Sequence, residues 1–526
     1  MNTQHVISIV LNAHTPFAGS PEYTQNREER AFFESLSETY LPLLEVLGRL
    51  DKDRIPFRLG IVLSPTLCHK LNDETFIDRY LAYTAAQIEF GAQELKRTAN
   101  TPLQSLVQRF CDEIADRRFL FAERCEKNIL KMFEFYQKKG KIELLGTAAT
   151  HGFLPFYASS PETIQAQFEV ALSSYRAHFG RHPHGFWLPE LGWTPELERY
   201  LRAYNFGYTV VNTHALILGN PPAVKGSFYP VKTPHGIFVF ARDHYAYQDI
   251  LGFSYHPAYR DNAADAGYEL SADLIKPFLD ADGRRTPTGY KYRTIGNGNR
   301  EKEVYDPIAA SEQVLKQANA FLDARIARLA EASQYMPETP ASLCAYSADA
   351  FGRLWYEGPQ FLETLFREGA KRKEIQFMAP AEYLYKQDLS SVQTAVPCFS
   401  SGGFNGYAQT WLDASNDWIY RHTVRSLERM TEIAERFPDE TGLKERALNQ
   451  AAREILLAQA SDWTKMLYRK DRVDYARDQI EETLRNFTTI YEALGSNYIS
   501  TEWLTTLERR HNVFPNINYR VFRRKR

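Results

Sequence analysis

Polar side chains that could carry chemistry directly follow several apolar runs of the sequence. His14 lies in NAHTPF, His151 in TAATHGFLP and Glu190 in WLPELGW. A fourth group, YSADAFGRLWYEGP, covers residues 346–359. Carboxylate, imidazole and indole groups together suit a sugar, because the C–H face of a pyranose packs on aromatic rings while its hydroxyls take hydrogen bonds. These segments therefore predict a carbohydrate-type site.

The apolar runs are predicted to be strands, and charged segments with helical periodicity separate them. The predicted strands cover residues 6–12, 56–65, 142–146, 184–190, 207–212, 235–243, 342–349 and 375–378. Strands that alternate with helices indicate parallel βα units, and about seven units before residue 380 predict a closed or nearly closed (β/α) barrel. In such barrels the chemistry lies at the carboxyl ends of the strands, which is where the candidate side chains fall.

Two segments break the alternation of strands and helices. Residues from about 245 to 303 are irregular and rich in Tyr, Gly, Asn and Asp, which is typical of a functional insertion. Residues 388–407 are aperiodic and rich in Ser and Gly, and the patterns beyond them are those of amphipathic helices. We therefore predict a barrel domain over residues 1–390, with the insertion at about 245–303, and a C-terminal helical domain over residues 391–526.

The composition argues against several classes of protein. The 526 residues include 63 basic and 65 acidic ones, a balance that does not favour nucleic acid or a membrane surface as partner. No uncharged apolar run reaches the ~18 residues of a membrane span, and the start lacks a signal-peptide pattern. The five cysteines, without any CxxC, predict neither a disulfide framework nor a zinc site. We expect a cytoplasmic protein with no metal or cofactor.

The same motifs resemble glycoside hydrolase family 57 and, within it, the 1,4-α-glucan branching enzymes. NAHTPF resembles the opening motif of the family, ELLGTAATHGFLP its Ala-Thr-His-Gly segment and GFWLPELGW its Trp-x-Pro-Glu motif. FARDHYAY resembles an Arg-Asp segment, and LLAQASDW resembles the Gln-Ser-Ser-Asp-Trp segment of the C-terminal domain. The resemblance extends from Val6 to about Arg477. It implies an incomplete (β/α)7 barrel with an inserted subdomain and a C-terminal α-helical domain.

The resemblance also implies roles for individual residues. Glu190 falls on the nucleophile of a retaining mechanism. The positions implied to bind substrate are His14, His151, Trp187, Arg242, Gly252, Trp355 and Asp462. An α-glucan such as glycogen or amylose is therefore the expected substrate or ligand. We further expect the insertion and the C-terminal helices to cover the barrel mouth, with Arg242 and Asp462 in one cleft.

The fourth motif departs from the family pattern at the position of the general acid/base. Branching enzymes have Tyr-Asp-x-Glu-x-Phe-Gly there, whereas this chain has Ser347 in place of the Asp and Asp349 in place of the Glu. A serine hydroxyl cannot protonate the leaving oxygen, and loss of acid–base help costs on the order of 10²–10⁴ in rate. Asp349 is the possible substitute, because residues two apart on a strand point to the same face. It would sit up to about 7 Å along the strand.

Two further positions depart from the family. Asn12 replaces the first His of the opening motif. The Trp-Gly-Glu-Gly-Gly loop of the family is here GGFNG, residues 402–406, which lacks both the Trp and the Glu. We expect a weaker hold on the donor chain from the loss of that aromatic ring.

Three interpretations follow from these motifs. The first is a working branching enzyme or 4-α-glucanotransferase with a relocated acid. The second is a non-catalytic or very slow pseudoenzyme that binds α-glucan or regulates glycogen metabolism. The third, less favoured, is a metal-dependent deacetylase, which needs an Asp–His–His set, whereas the chain offers His14 and His151 without a convincing Asp beside His14. Activity of the first kind is expected to be weak or lost.

Overall fold

The centre of the structure, a computed structural model that describes residues 4–18, 27–280, 283–296 and 302–525, is a curled sheet. Its strands are β1 His5–Ala13, β2 Leu59–Leu63, β3 Ile142–Thr147, β4 Gly185–Trp187, β5 Tyr208–Val211, β6 Val231–Lys232, β7 Phe238–Ala241, β8 Ala341–Ser347 and β9 Ile375–Phe377. The order β7-β5-β4-β3-β2-β1-β8 is parallel throughout. A bridge from Arg242 to Leu343 brings β7 beside β8. The predicted incomplete (β/α)7 barrel is confirmed.

Helices surround the sheet and form the C-terminal region. Those of the barrel part and its insertion are α1 Arg27–Ser35, α2 Leu41–Lys52, α3 Pro65–Asn72, α4 Glu74–Arg97, α5 Gln104–Phe119, α6 Ile129–Lys138, α7 Pro161–Phe179, α8 Glu198–Ala203, α9 Thr213–Ile217, α10 His244–Ser254, α11 Ala266–Glu269, α12 Pro307–Ala332, α13 Gly358–Gly369 and α14 Pro380–Lys386. Those that follow are α15 Trp418–Arg436, α16 Gly442–Ala458, α17 Ser461–Arg469, α18 Val473–Ser496 and α19 Thr501–Arg510. The predicted C-terminal helical region is therefore present. In the described part of the chain, no helix is long and apolar enough to cross a membrane.

Strand β1 shows why apolar sequence runs make this barrel. Ile7 and Ile9 pack against the outer helices, whereas Val6 and Val10 belong to the cluster inside the barrel. Both faces of the strand are therefore buried, which explains its nearly continuous apolar sequence. Side chains alternate along a strand, so Asn12 shares the inner face with Val10. The polar Asn12 thus points into the barrel where β1 ends.

The insertion differs in part from the prediction. Its start is the helix α10, the short helix α11 lies further along, and the rest of the described segment is irregular. That irregular part packs on α4, where Tyr290 Oη donates to the Gln87 carbonyl at 2.9 Å and Tyr292 Oη donates to Glu94 at 2.8 Å. The Tyr290 ring also lies 6.4 Å from that of Phe110 in α5.

The same segment also reaches the chain that follows β1, because Arg260 and Lys291 both pair with Glu38. That the insertion covers the barrel mouth stays a prediction.

The C-terminal helices share a hydrophobic core with the barrel. Phe168 and Leu172 of α7 lie in one buried cluster with Leu456 of α16 and Phe487 of α18. A hydrogen bond adds to this contact: the Thr150 hydroxyl, after β3, donates to the Leu456 carbonyl at 2.6 Å. These contacts hold the C-terminal helices beside the ends of the barrel strands. The boundary at residues 390/391 remains a prediction.

Candidate active site

The candidate residues lie where the barrel strands end. His14 follows β1, His151 follows β3, Glu190 follows β4 and Arg242 follows β7, while Ser347 is the last residue of β8. These are the carboxyl ends of parallel strands, which in barrels of this kind form one face. The register of the sheet also pairs Asn12 with Ser347, so the two positions are neighbours.

Two histidines stack face to face at this end of the barrel. The ring centroids of His14 and His151 are 3.9 Å apart at an interplanar angle of 9°. His14 Nε2 donates to Asp462 Oδ2 at 2.9 Å, and its Nδ1 lies 2.9 Å from Ser64 Oγ. Burial opposes ionisation of Asp462, but the charge and the hydrogen bond of His14 outweigh it and lower the pKa of Asp462 to about 2. Asp462 is therefore an anion at neutral pH.

His151 is a neutral member of the pair. Burial, with the positive charge of His14 next in importance, lowers the pKa of His151 well below its usual value. Its Nε2 lies 3.4 Å from Asn12 Nδ2, and its Nδ1 lies 3.3 Å from Ser461 Oγ. A neutral imidazole with polar neighbours on both nitrogens can exchange hydrogen bonds with a sugar hydroxyl without a change of charge.

Glu190 is held in an uncommon backbone conformation. Its φ of 56° and ψ of 22° lie in the left-handed region, which costs a residue other than glycine on the order of 1–3 kcal/mol. The Glu190 carbonyl accepts a hydrogen bond from the Gly402 amide at 2.6 Å, and its Oε1 lies 4.0 Å from His151 Nδ1. His151 itself has a φ of 57°. The surrounding loops thus hold both residues in a backbone conformation that non-glycine residues disfavour, as is common at functional sites.

Helix α17 supplies two charged side chains to the same place. Asp462 bonds His14, and Lys465, three residues further, lies with Nζ 3.1 Å from Glu190 Oε1 and 3.4 Å from Oε2. Residues three apart on a helix share a face, so one face of α17 lines the cleft. The sequence analysis found Asp462 and missed Lys465, although the three-residue spacing was a signal that could have found it.

The fourth motif places a hydroxyl, and no free carboxylate, beside Asn12. Ser347 is exposed at the end of β8. Asp349 Oδ2 accepts from Arg353 Nε at 3.0 Å and from Ser35 Oγ at 3.1 Å, and the carboxylate in turn raises the pKa of Arg353. This differs from the expectation that Asp349 faces the same way as Ser347. The strand ends at Ser347, and Asp349 lies in the 3₁₀ turn that follows, where the two-residue alternation no longer holds.

Arg242 is linked to Glu190 through neighbouring loops. Its Nη2 donates to Asn212 Oδ1 at 3.1 Å, and its guanidinium carbon lies 3.9 Å from the centroid of the Tyr247 ring. Asn212 Nδ2 in turn donates to the Ser401 carbonyl at 3.0 Å, one residue before the glycine that bonds Glu190. Burial lowers the pKa of Arg242. These contacts are consistent with the expectation that Arg242 and the α17 residues border one cleft.

The other residues implied to bind substrate are two buried tryptophans and an exposed glycine. Trp355 is 1% exposed and packs against Phe361 and Tyr259, with centroid distances of 5.1 Å and 5.5 Å. We expected Trp355 to offer its ring to the cleft. The structure corrects this, because the ring packs within the hydrophobic core. Trp187 is buried in the cluster inside the barrel. Gly252 lies on the exposed side of α10, where an added Cβ would meet open space.

The loop at residues 402–407 offers aromatic rings that the sequence analysis did not expect. Phe404 is 62% exposed and Tyr407 is 46% exposed. The loop is anchored by the Gly402–Glu190 bond and by His214 Nε2, which lies 3.0 Å from the Gly406 carbonyl. The family Trp is absent, but an exposed ring stands within the same loop.

Across the described ranges, no group of three or more His, Cys, Asp and Glu side chains is arranged to hold a metal ion.

Comparisons with known proteins agree with this fold. Residues 8–394 match glycosyl hydrolase family 57. Residues 422–522 match a second family, that of the C-terminal region of 1,4-α-glucan branching enzymes. These matches place the chain among the glycosyl hydrolases. It belongs to family 57, and it is homologous to the 1,4-α-glucan branching enzymes of that family.

Relatives and solved structures cover nearly the whole chain. A 1,4-alpha-glucan branching enzyme of Thermococcus kodakarensis is 25% identical over 97% of this chain and 77% of that protein. The structure of the α-amylase AmyC from Thermotoga maritima has a TM-score of 0.92 and 32% identity, with 100% of both chains covered. The branching enzyme of Pyrococcus horikoshii has a TM-score of 0.90 and 24% identity, over 100% of this chain and 98% of that one.

Proposed function

We propose that the chain is an α-glucan-binding member of family 57 whose glycosyl-transfer activity is weak or lost. Glu190 occupies the place of the nucleophile, and His14, His151, Asp462 and Arg242 would hold the sugar beside it. A retaining mechanism needs a second carboxyl about 5–5.5 Å from the nucleophile to protonate the leaving oxygen. The observation that carries the proposal is Ser347 at the end of β8, with the nearby Asp349 bound to Arg353 and Ser35.

The residual chemistry follows from this lack of an acid. Glu190 can still attack an anomeric carbon, but the leaving alkoxide receives no proton, which costs on the order of 10²–10⁴ in rate. Binding suffers less, because the stacked histidines, Asp462 and the exposed ring of Phe404 are all present. A role in glycogen metabolism as a binding or regulatory protein fits this balance. The five cysteines, all free thiols, support a cytoplasmic location.

The test compares the wild type with Ser347→Asp on amylose, with Glu190→Gln as the blank. New α-1,6 linkages and reducing ends are counted, and maltoheptaose binding is measured by calorimetry. We expect binding by the wild type with little or no turnover, and a gain of branching in Ser347→Asp. Robust wild-type turnover that disappears in Asp349→Asn would contradict the proposal and show a relocated acid.

Hydrolysis is the second candidate reaction. The 32% identity with the α-amylase AmyC over the full length of both chains favours it. The same assay separates the two reactions, because hydrolysis raises reducing ends without new α-1,6 linkages. If Ser347→Asp produces reducing ends alone, the ancestral reaction of this cleft was hydrolysis.

A further inference from the structure

Lys465 is fixed beside Glu190 by the packing of its helix. Trp463 of α17 is buried and donates from Nε1 to the Leu457 carbonyl at 2.9 Å, while Asp462 bonds His14. The Lys465 side chain is 31% exposed and that of Glu190 is 15% exposed, so the pair is only partly open to water. The ammonium contacts both carboxylate oxygens. The ion pair of Lys465 and Glu190 therefore belongs to the cleft and is not a fully exposed surface pair.

Several groups lie close to Glu190. His151 stands 4.0 Å from Oε1, and the Gly402 amide holds the backbone of Glu190. Lys465 is the more exposed partner of the pair, so it borders the open side of the carboxylate. Attack requires a carboxylate oxygen about 3–3.5 Å from the anomeric carbon. An ammonium bonded to both oxygens occupies that space and stabilises the negative charge that attack would use.

We propose that Lys465 masks Glu190 and blocks formation of a glycosyl–enzyme ester. This inference rests on the proposed function, in which Glu190 faces the anomeric carbon of an α-glucan. It adds a second and independent cause of low turnover to the missing acid at Ser347. It follows that Ser347→Asp alone restores less branching than Ser347→Asp combined with Lys465→Met.

An activated donor separates the two causes. In 5-fluoro-α-D-glucosyl fluoride the leaving group is fluoride, which departs with its electron pair and needs no proton. Glu190 forms a C–O bond to the anomeric carbon as the C–F bond breaks, and the ring fluorine slows hydrolysis of the ester. The mass of the intact protein then reports ester formation at Glu190, without any contribution from the acid position.

The experiment measures the labelling rate of four single variants and one double variant. Lys465→Met removes the ammonium and keeps the length of the side chain, and Lys465→Arg keeps a cation. Lys371→Met is the matched control, because Lys371 also pairs with a glutamate, Glu368, but lies just after α13 with its side chain 67% exposed. Lys465→Gln serves as a second neutral variant if thermal unfolding shows that Lys465→Met is not folded. Lys465→Met with Glu190→Gln is the blank.

We expect Lys465→Met to label about tenfold faster than the wild type, which corresponds to ~1.4 kcal/mol of barrier. Lys465→Arg and Lys371→Met should label at the wild-type rate. A rate in Lys465→Met that does not exceed that of the wild type overturns the masking, whether both proteins label or neither does. Maltoheptaose binding by the wild type, measured beside it, keeps the two proposals apart, because its absence counts against the proposed function alone.

Discussion

The Asp349 carboxylate accepts hydrogen bonds in an ion pair with Arg353. Oδ2 receives hydrogen bonds from Arg353 and Ser35, and the side chain of Asp349 is only 12% exposed. These two donors orient Oδ2 toward Arg353 and Ser35. At the level of the single residue, this cleft therefore has a candidate nucleophile, a hydroxyl at the acid position and a cation on the nucleophile.

Phe404 is predicted to contribute to glucan binding. Its exposed ring stands in the loop that bonds Glu190, and stacking of one such ring contributes about 0.5–1.5 kcal/mol. Phe404→Ala should therefore weaken maltoheptaose binding by about two- to thirteenfold, with no change in the melting temperature. Isothermal calorimetry measures the first effect and thermal unfolding the second.

Phe135→Ala is the control for this measurement. Phe135 is also exposed, but α6 leads into the amino end of β3, so this ring lies away from the cleft. It should leave binding unchanged. Equal affinities of Phe404→Ala and wild type would show that the loop ring does not touch the sugar.

Helix α17 is the element that completes the cleft. It brings a carboxylate to His14 and an ammonium to Glu190 from a part of the chain 275 positions away from Glu190. The sequence predicts the strands well, because their apolar runs are local, and it predicts which residues stand at the strand ends. It does not predict α17 as an element. The three-residue spacing places Lys465 on the same helix face as Asp462, but the partner Glu190 follows only from tertiary packing.

Asp462 is predicted to stabilise the fold in a pH-dependent manner. Its pKa is about 2 in the folded protein and about 3.9 in an unfolded chain. Because the folded pKa is the lower one, the stabilisation is fully present above about pH 4 and is lost as pH falls through about 2. The difference corresponds to about 2–3 kcal/mol in the free energy of unfolding.

The measurement is urea unfolding of the wild type and Asp462→Asn between pH 6 and pH 3. The wild type should be more stable by about 2 kcal/mol at pH 6, and the gap should narrow as the pH approaches 3. Asp53→Asn is the control, because Asp53 is also paired with a basic side chain, that of Arg367, but is 46% exposed at its own side chain. A gap for Asp462→Asn that stays constant over this range would show that the carboxylate does not titrate as the structure requires.

The two predicted regions of the molecule share a large apolar cluster. Residues of α7 and of the α16 and α18 helices share it, and Thr150 bonds the Leu456 carbonyl across the junction. A composition change at residues 388–407 indicates a boundary in the sequence, yet it carries no information on how much apolar surface the two sides bury together. The same junction positions α17, so the geometry of the cleft depends on it.

Leu456→Ala is therefore predicted to weaken the whole molecule at once. Leu456 is fully buried in the shared cluster, and removal of such a side chain costs about 2–5 kcal/mol. Because the cluster spans both regions, calorimetry should show a single transition in the wild type and a single transition at lower temperature in the variant. Hydrogen exchange of amides in β1 and in α18 should accelerate together. Two separate transitions, or faster exchange confined to α18, would show instead that the barrel folds independently of the helices that complete its cleft.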